Sequence, residues 1–150
     1  MNKYCEICGN PKVEKHHIIF KSQFKGLEAE WNYKYLCPTH HRGTQSPHRN
    51  KQIDTEYKRE VQRYLTQTLY KDYYTQNRIR KELKLQANVV KKICKILQMH
   101  KEGYKASDII LRIMGRDYLE EQGEGKAGRA RICKPMQRTW LQCKARATVQ

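Results

Sequence analysis

Hydrophobic residues recur at helical spacing through the middle of the chain. From residue 53 to residue 70 they lie three or four positions apart, at Ile53, Tyr57, Val61, Tyr64, Leu65 and Leu69. This spacing predicts one amphipathic helix with Asp54 at its N-cap. Further along, a short helix with apolar positions from Ile109 to Met114 is predicted to begin at a Ser107 cap and to end at Gly115. The middle of the chain is therefore expected to be mainly helical.

Two more helices are predicted between these, and they form a pair. The first follows Thr75 as its N-cap. The second covers residues 88–99, with apolar residues on one side and lysines on the other, at Lys91, Lys92 and Lys95. A short polar break separates the two, which favours a helix-turn-helix whose second helix reads a groove of nucleic acid. A plain helical hairpin in a basic protein is the alternative.

The N-terminal part has a strand pattern instead of a helical one. Residues 13–20 have β-rich ends around two adjacent histidines, His16 and His17. Neighbouring side chains on a strand point to opposite faces. One histidine could therefore bind a metal while the other faces a substrate.

The pattern divides the chain into three regions. Residues 1–52 contain the predicted strand, and residues 53–122 contain the predicted helices. Residues 123–150 lack periodicity and carry little acid, which is typical of a flexible basic tail.

Charge narrows the choice of partners. The 150 residues include 31 Lys and Arg against 15 Asp and Glu, a net charge of +16. Such an excess predicts a polyanionic partner, with DNA first, although generic basicity is the alternative. No apolar run approaches the roughly 18–20 residues of a membrane span, and the N-terminus lacks the apolar stretch of a secretory signal. A cytosolic protein without a membrane partner is expected.

Cysteine and histidine positions indicate metal binding. Cys5 and Cys8 form a CxxC motif, and Cys37 begins a CxxH motif that ends at His40. Two such pairs supply four ligands, enough for one tetrahedral zinc; free or redox-active cysteines are the alternative. Five histidines fall in the same N-terminal region, at 16, 17, 40, 41 and 48. That clustering favours a second site over isolated core histidines.

In combination these motifs resemble the HNH endonuclease family, in particular small HNH proteins of bacteria and their phages. The resemblance lies within residues 4–51, in the CxxC, His16-His17-Ile18, Asn32 and Leu36-Cys37-Pro38-Thr39-His40-His41. It implies a ββα-metal fold, in which a hairpin packs on a helix with a catalytic divalent ion in the cleft. Many members also hold a structural zinc between two cysteine knuckles. The expected fold class is therefore α+β, with a small zinc-stabilised ββα-metal module followed by a helical segment and a tail.

The resemblance also implies a role for each matching residue. His16 and His41 match ligands of the catalytic ion, His17 matches the general base, and Asn32 matches the residue that orients the base-bearing loop. His48 is a further candidate ligand of this ion, provided that residues 44–47 turn back towards the cleft. Imidazole-rich ligation suits Zn²⁺, Ni²⁺, Mn²⁺ or Mg²⁺, so the identity of the catalytic ion stays open.

The structural zinc set is matched by Cys5, Cys8, Cys37 and His40. The last of these is usually a cysteine, so His40 is a departure from the family pattern, but one compatible with zinc. The sequence leaves open which of His40 and His41 faces which metal.

The sequence thus predicts a metal-dependent endonuclease that hydrolyses DNA phosphodiester bonds. Imidazoles exchange protons near neutral pH, which suits His17 for activating water. Arg42 and the lysines of residues 88–99 are expected to contact phosphates.

One alternative is a zinc-finger-like DNA-binding regulatory protein without nuclease activity, but a zinc finger would leave three histidines without a role. A second alternative is RNA as the substrate. The recognition sequence and the oligomeric state are not fixed by the sequence.

Overall fold

The computed structural model describes residues 3–115 and Tyr118, and the predicted tail at 123–150 lies outside them. Helices and two small antiparallel sheets make up the described part, so the expected α+β class is confirmed. None of the described helices is both long enough and apolar enough to cross a membrane.

A hairpin and a short helix form the N-terminal part. Strands β1 (Glu14–His17) and β2 (Tyr33–Leu36) pair in antiparallel register. Helix α1 (Pro38–Arg42) follows directly, because Pro38 suits the first turn of a helix, and Gly43 is its C-cap. Strand, strand and helix therefore occur in the order that the resemblance implies.

The long helix α2 (Lys51–Thr68) is capped four residues before the predicted position. The Asn50 side chain accepts hydrogen bonds from the backbone N–H groups of Gln52 and Ile53, so the expected cap at Asp54 is wrong. Asp54 lies in the first turn, where its carboxylate interacts favourably with the positive end of the helix dipole. The apolar stripe starts only at Ile53, so hydrophobic spacing did not reveal the polar first turn.

Helices α3 (Gln76–Glu82) and α4 (Ala87–Cys94) form the predicted pair. The Thr75 hydroxyl accepts a hydrogen bond from the Arg78 N–H at 3.4 Å, which confirms the predicted cap. The prediction of one helix over 88–99 is wrong at its C-terminal end. The chain leaves the helix after Cys94 because it turns there to enter a strand.

A small sheet packs beside this pair. Strands β3 (Tyr73–Tyr74), β4 (Met99–His100) and β5 (Gly103–Lys105) are antiparallel in the order β3-β5-β4. Gly103 has φ +125°, and a Cβ there would lie 2.5 Å from the Tyr74 carbonyl oxygen. Only glycine fits this approach of the two strands.

Helix α5 (Ala106–Met114) completes the described chain. Lys105 is its N-cap, so the expected Ser107 cap is wrong. The backbone enters the helix straight from β5, before Ser107 is reached. Gly115, with φ +56°, ends the helix as predicted.

One hydrophobic core joins the hairpin to the helices. Buried side chains of the β1–β2 connection and of α2 to α5 belong to a single cluster, which includes Ile19, Leu27, Leu65, Ile93 and Ile109. The first and second regions predicted from the sequence therefore share this core. It fixes the β1–β2 connection, which follows the tandem histidines, against the helices.

Candidate functional site

Four side chains converge at the base of the hairpin to form what we call the cysteine cluster: Cys5, Cys8, Cys37 and His40. Sγ of Cys8 lies 3.8 Å from Sγ of Cys37. His40 Nδ1 lies 3.5 Å from Cys5 Sγ and 3.3 Å from Cys37 Sγ. Sulfur ligands about 2.3 Å from a tetrahedral zinc are about 3.8 Å apart, so these residues fit the ion.

The backbone around Cys5 and Cys8 adopts a geometry suited to metal binding. Gly9 adopts φ +71°, and its N–H donates to the Cys5 carbonyl at 2.8 Å. Burial alone would raise the pKa of the Cys5 thiol, but hydrogen bonds from the N–H groups of Cys37, Cys8 and Ile7 and from His40 outweigh it and lower this pKa to about 6. The thiolate, which is the form that binds metals, is therefore favoured.

Three imidazoles form a second group, which we call the histidine cluster: His16, His41 and His48. Their ligand atoms lie within 4.8 Å of one another, and Nε2 of His41 is 3.2 Å from Nε2 of His48. Two nitrogens about 2.1 Å from one ion are separated by roughly 3.0–3.4 Å. The pair therefore has the spacing of two ligands of one ion.

His16 is the buried member of the histidine cluster. Its side chain lies on β1 opposite Lys34, and the residue is 1% exposed. Its Nε2 is buried and has no hydrogen-bond partner among the described residues. Burial lowers the pKa of His16 to about 3, with further lowering from His48, His41 and His17. The ring is thus neutral and presents a lone pair, as a metal ligand must.

The adjacent residues His40 and His41 serve different clusters. Consecutive residues on a helix point about 100° apart, so α1 directs His40 to the cysteines and His41 to the other imidazoles. This answers the question that the sequence left open. The two clusters therefore share one five-residue helix.

A loop after α1 brings His48 back to the cluster. The Ser46 N–H donates to the Gly43 carbonyl at 3.2 Å, and the Asn50 N–H donates to the Ser46 carbonyl at 2.8 Å. The His48 ring stacks on Phe20 at 5.6 Å between centroids. Residues 44–47 thus turn as required, and His48 joins the other two candidate ligands.

Glu14 holds the His41 ring through the nitrogen that does not face His48. His41 donates from Nδ1 to the Glu14 carboxylate at 2.5 Å, which leaves Nε2 free to face the cluster. The hydrogen bond from His41 also lowers the pKa of Glu14, with Arg42 contributing. Carboxylates behind ligating histidines fix the ring and its tautomer. Glu14 was not predicted from the sequence, although it precedes His16 by two residues and so shares its face of the strand.

Arg42, the predicted phosphate contact, binds Glu14 in this structure through both Nε and a terminal nitrogen. Its side chain is 70% exposed. The guanidinium therefore lies beside the histidine cluster and remains accessible to solvent.

His17 lies on the face of β1 opposite to that of His16, as the strand pattern predicts. Its side chain is 15% exposed, and its Nε2 lies 3.2 Å from a Glu28 carboxylate oxygen. The ring packs edge-on against Tyr33 at 5.0 Å. With Nε2–H donated to Glu28, Nδ1 is the nitrogen that can accept a proton. Glu28 was not predicted from the sequence, since a single acid in a connection carries no pattern.

Glu28 is held in its ionised form. The Tyr33 hydroxyl donates to it, and this bond lowers the pKa of Glu28 to about 2, with help from His17 and Lys21 and against a smaller effect of burial. An ionised carboxylate beside an imidazole orients the ring and stabilises its protonated form.

Asn32 ties the β1–β2 connection together. Its fully buried Oδ1 accepts from the Ile19 N–H at 2.7 Å, and its Nδ2 donates to the carbonyls of Ile19 and Leu27 at 3.3 and 3.1 Å. Ile19 lies two residues after His17. Asn32 therefore holds the backbone that follows the tandem histidines.

The three lysines predicted to bind nucleic acid lie apart from both clusters. Lys91 and Lys92 are exposed on α4, and Lys95 is exposed at its end.

Comparison with protein-family models, with curated proteins and with solved structures finds no match to this chain.

Proposed function

We propose that this protein is a metal-dependent endonuclease that hydrolyses phosphodiester bonds of DNA in the manner of the HNH family. The observation that carries this proposal is the convergence of three histidine nitrogens on one point. Three protein ligands leave positions open for water and substrate, which is typical of catalytic sites. The four-ligand cysteine cluster, by contrast, has the closed composition of a structural zinc site.

His17 is the residue we assign to proton transfer. Its Nδ1 would accept a proton from the attacking water, while Nε2–H stays bonded to Glu28. His17 directly follows His16 of the histidine cluster on strand β1. Glu28 would stabilise the imidazolium that forms.

The histidine cluster fits Zn²⁺, Ni²⁺, Mn²⁺ or Mg²⁺ with water completing the coordination. A divalent ion bound there would offset negative charge on the phosphate and on the leaving 3′ oxygen. His16 and His48 would hold this ion from the strand and the loop, and His41 from the helix. Products with 5′-phosphate and 3′-hydroxyl ends are expected.

A zinc-containing DNA-binding protein without nuclease activity is the second candidate. The α3–α4 pair with its exposed lysines favours it, because such pairs place a helix in a groove of DNA. It gives no role, however, to the Glu28–His17 pair or to the buried, unpartnered Nε2 of His16.

Plasmid digestion separates the two candidates. The wild type should cut plasmid DNA only with added divalent ion, and His17→Ala should cut far less. His100→Ala is the matched control, because His100 packs on Tyr73 away from both clusters. Parallel digestion of an RNA of the same sequence tests the choice of substrate. Equal cutting by His17→Ala and the wild type would remove the proposed base, and no cutting by the wild type with any of the four metals would favour the binding protein.

A further inference from the structure

A basic cleft opens between the β1–β2 connection and helices α4 and α5. Its volume is about 240 Å³. Four cationic side chains line it: Lys25 from the connection, Lys92 and Lys95 from α4 and its end, and Arg112 from α5. The other lining residues are Gln23, Phe24 and Ile96, so no carboxylate balances these charges among the described residues that form the cleft.

The salt bridges of the described residues leave the four cations of the basic cleft without a carboxylate partner. Within residues 3–115 none of them forms an ion pair with a carboxylate. Other cations of this chain do, for example Lys58, whose Nζ lies 2.7 Å from Asp54. Like charges that converge without a counterion repel one another, so the arrangement favours a bound anion.

Arg112 contributes a guanidinium to the lining of the basic cleft. Its guanidinium lies over the Phe24 ring at 5.4 Å, and its Nε is buried without a hydrogen-bond partner among the described residues. Buried donors in folded proteins are nearly always paired. A guanidinium that lines a cleft suits phosphate oxygens in particular, because its donors form a planar fork.

One tight turn links the basic cleft to the histidine cluster. Phe20 stacks on His48, and its carbonyl accepts from the N–H groups of Gln23 and Phe24 at 2.9 and 3.1 Å. Phe24 and the next residue, Lys25, then line the cleft. A nucleic-acid strand that follows this turn would meet both places.

We propose that the basic cleft binds a backbone phosphate of DNA while a neighbouring stretch of the same DNA lies at the histidine cluster. The identity of the anion rests on the proposed nuclease function. The four cationic side chains of the cleft favour a phosphate oxyanion whether or not the protein is a nuclease. Lys92 Nζ lies near the β1–β2 connection, 4.0 Å from where a Cβ of Gly26 would be.

The test compares two double variants of the full chain that remove equal charge. Lys92→Gln with Lys95→Gln alters the basic cleft, whereas Lys71→Gln with Lys81→Gln alters two exposed lysines outside it. Binding to a short DNA duplex is measured over a series of salt concentrations without added divalent ion. The cleft variant should bind roughly ten-fold more weakly, and its slope of log K against log[salt] should fall by about 0.9 if it neutralises one phosphate fewer than the wild type. The control should stay within about two-fold of the wild type.

Equal affinities and slopes for the two double variants would overturn the proposal. A second titration uses inorganic phosphate alone, and loss of its binding in the cleft variant while DNA binding matches the control would show a free-anion site, which also overturns it. Plasmid digestion in parallel keeps the two proposals separate. Weakened DNA binding by the cleft variant, in a protein that never cuts DNA, would retain the cleft and reject the nuclease.

Discussion

The cysteine cluster and the histidine cluster each include one of two adjacent residues of helix α1, His40 and His41, yet they differ in the properties that govern metal chemistry. The first offers four ligands with three sulfurs, and its knuckle is closed by backbone hydrogen bonds. The second offers three nitrogens with a carboxylate behind one of them. A closed sulfur set holds zinc for stability, whereas an open nitrogen set leaves room for water and phosphate. Helix α1 thus connects a four-ligand cluster to a three-ligand one.

The largest expected effect comes from breaking the cysteine cluster. Cys37→Ser should abolish tight zinc binding and destabilise the protein by roughly 4 kcal/mol or more, because structural zinc contributes folding free energy directly. Zinc content after dialysis and thermal unfolding measure this. Since α1 also carries His41, metal binding at the histidine cluster should fall too.

Cys94→Ala is the control for that experiment. Burial raises the pKa of the Cys94 thiol to about 11, and Cys94 lies in the hydrophobic core away from both clusters. It should keep its zinc with a modest loss of stability. Wild-type zinc content in Cys37→Ser would contradict the structural role of the cluster.

Asn32→Ala should have the next largest effect. The change leaves the Ile19 N–H and two buried carbonyls without their partner, at a cost of roughly 3 kcal/mol. Zinc content should stay at the wild-type level, because Asn32 is not a candidate ligand of the cysteine cluster. Chemical denaturation gives the stability, and a loss below about 0.5 kcal/mol would show that the connection does not depend on these bonds.

Glu14→Gln tests the support behind the histidine cluster. Removing the charge behind His41 should weaken metal binding there by about 10- to 100-fold and leave the cysteine cluster loaded. Calorimetric titration of zinc-loaded protein with Mn²⁺ or Ni²⁺ measures the affinity. Glu30→Gln, which removes an exposed carboxylate paired with Lys3, is the control. The same affinity in both variants would argue against the role of Glu14.

The smallest expected effect concerns acid stability near His17. The pKa of Glu28 is lowered to about 2, below the roughly 4.3 of an unfolded glutamate. Its contribution is therefore fully present above pH 5 and is lost as the pH falls from about 5 towards 2. Because its side chain is 42% exposed, less than about 1 kcal/mol is expected. The stabilities of the wild type and Glu28→Gln should converge over that range, and a constant difference would contradict the assignment.

Sequence patterns were most successful where chemistry depends on spacing. The CxxC and CxxH motifs and the tandem histidines predicted both clusters, because ligands of one ion must be close and few residue types can serve. Glu14 and Glu28 were missed, since a carboxylate behind a histidine can come from any position that the fold brings near. Asn50 and Lys105 were missed as caps because hydrophobic spacing marks where a helix is buried and not where it begins.

The most direct test of the proposed chemistry is the metal dependence of DNA cleavage by His16→Ala and His17→Ala. His17→Ala removes the base and keeps all three ligands, so cleavage should fall by about 10²–10⁴ at every metal concentration. His16→Ala removes a ligand, so added divalent ion should restore part of its activity. Rescue of His17→Ala by excess metal, with no rescue of His16→Ala, would mean that the two roles are exchanged. Wild-type cleavage by both variants would contradict the nuclease proposal itself.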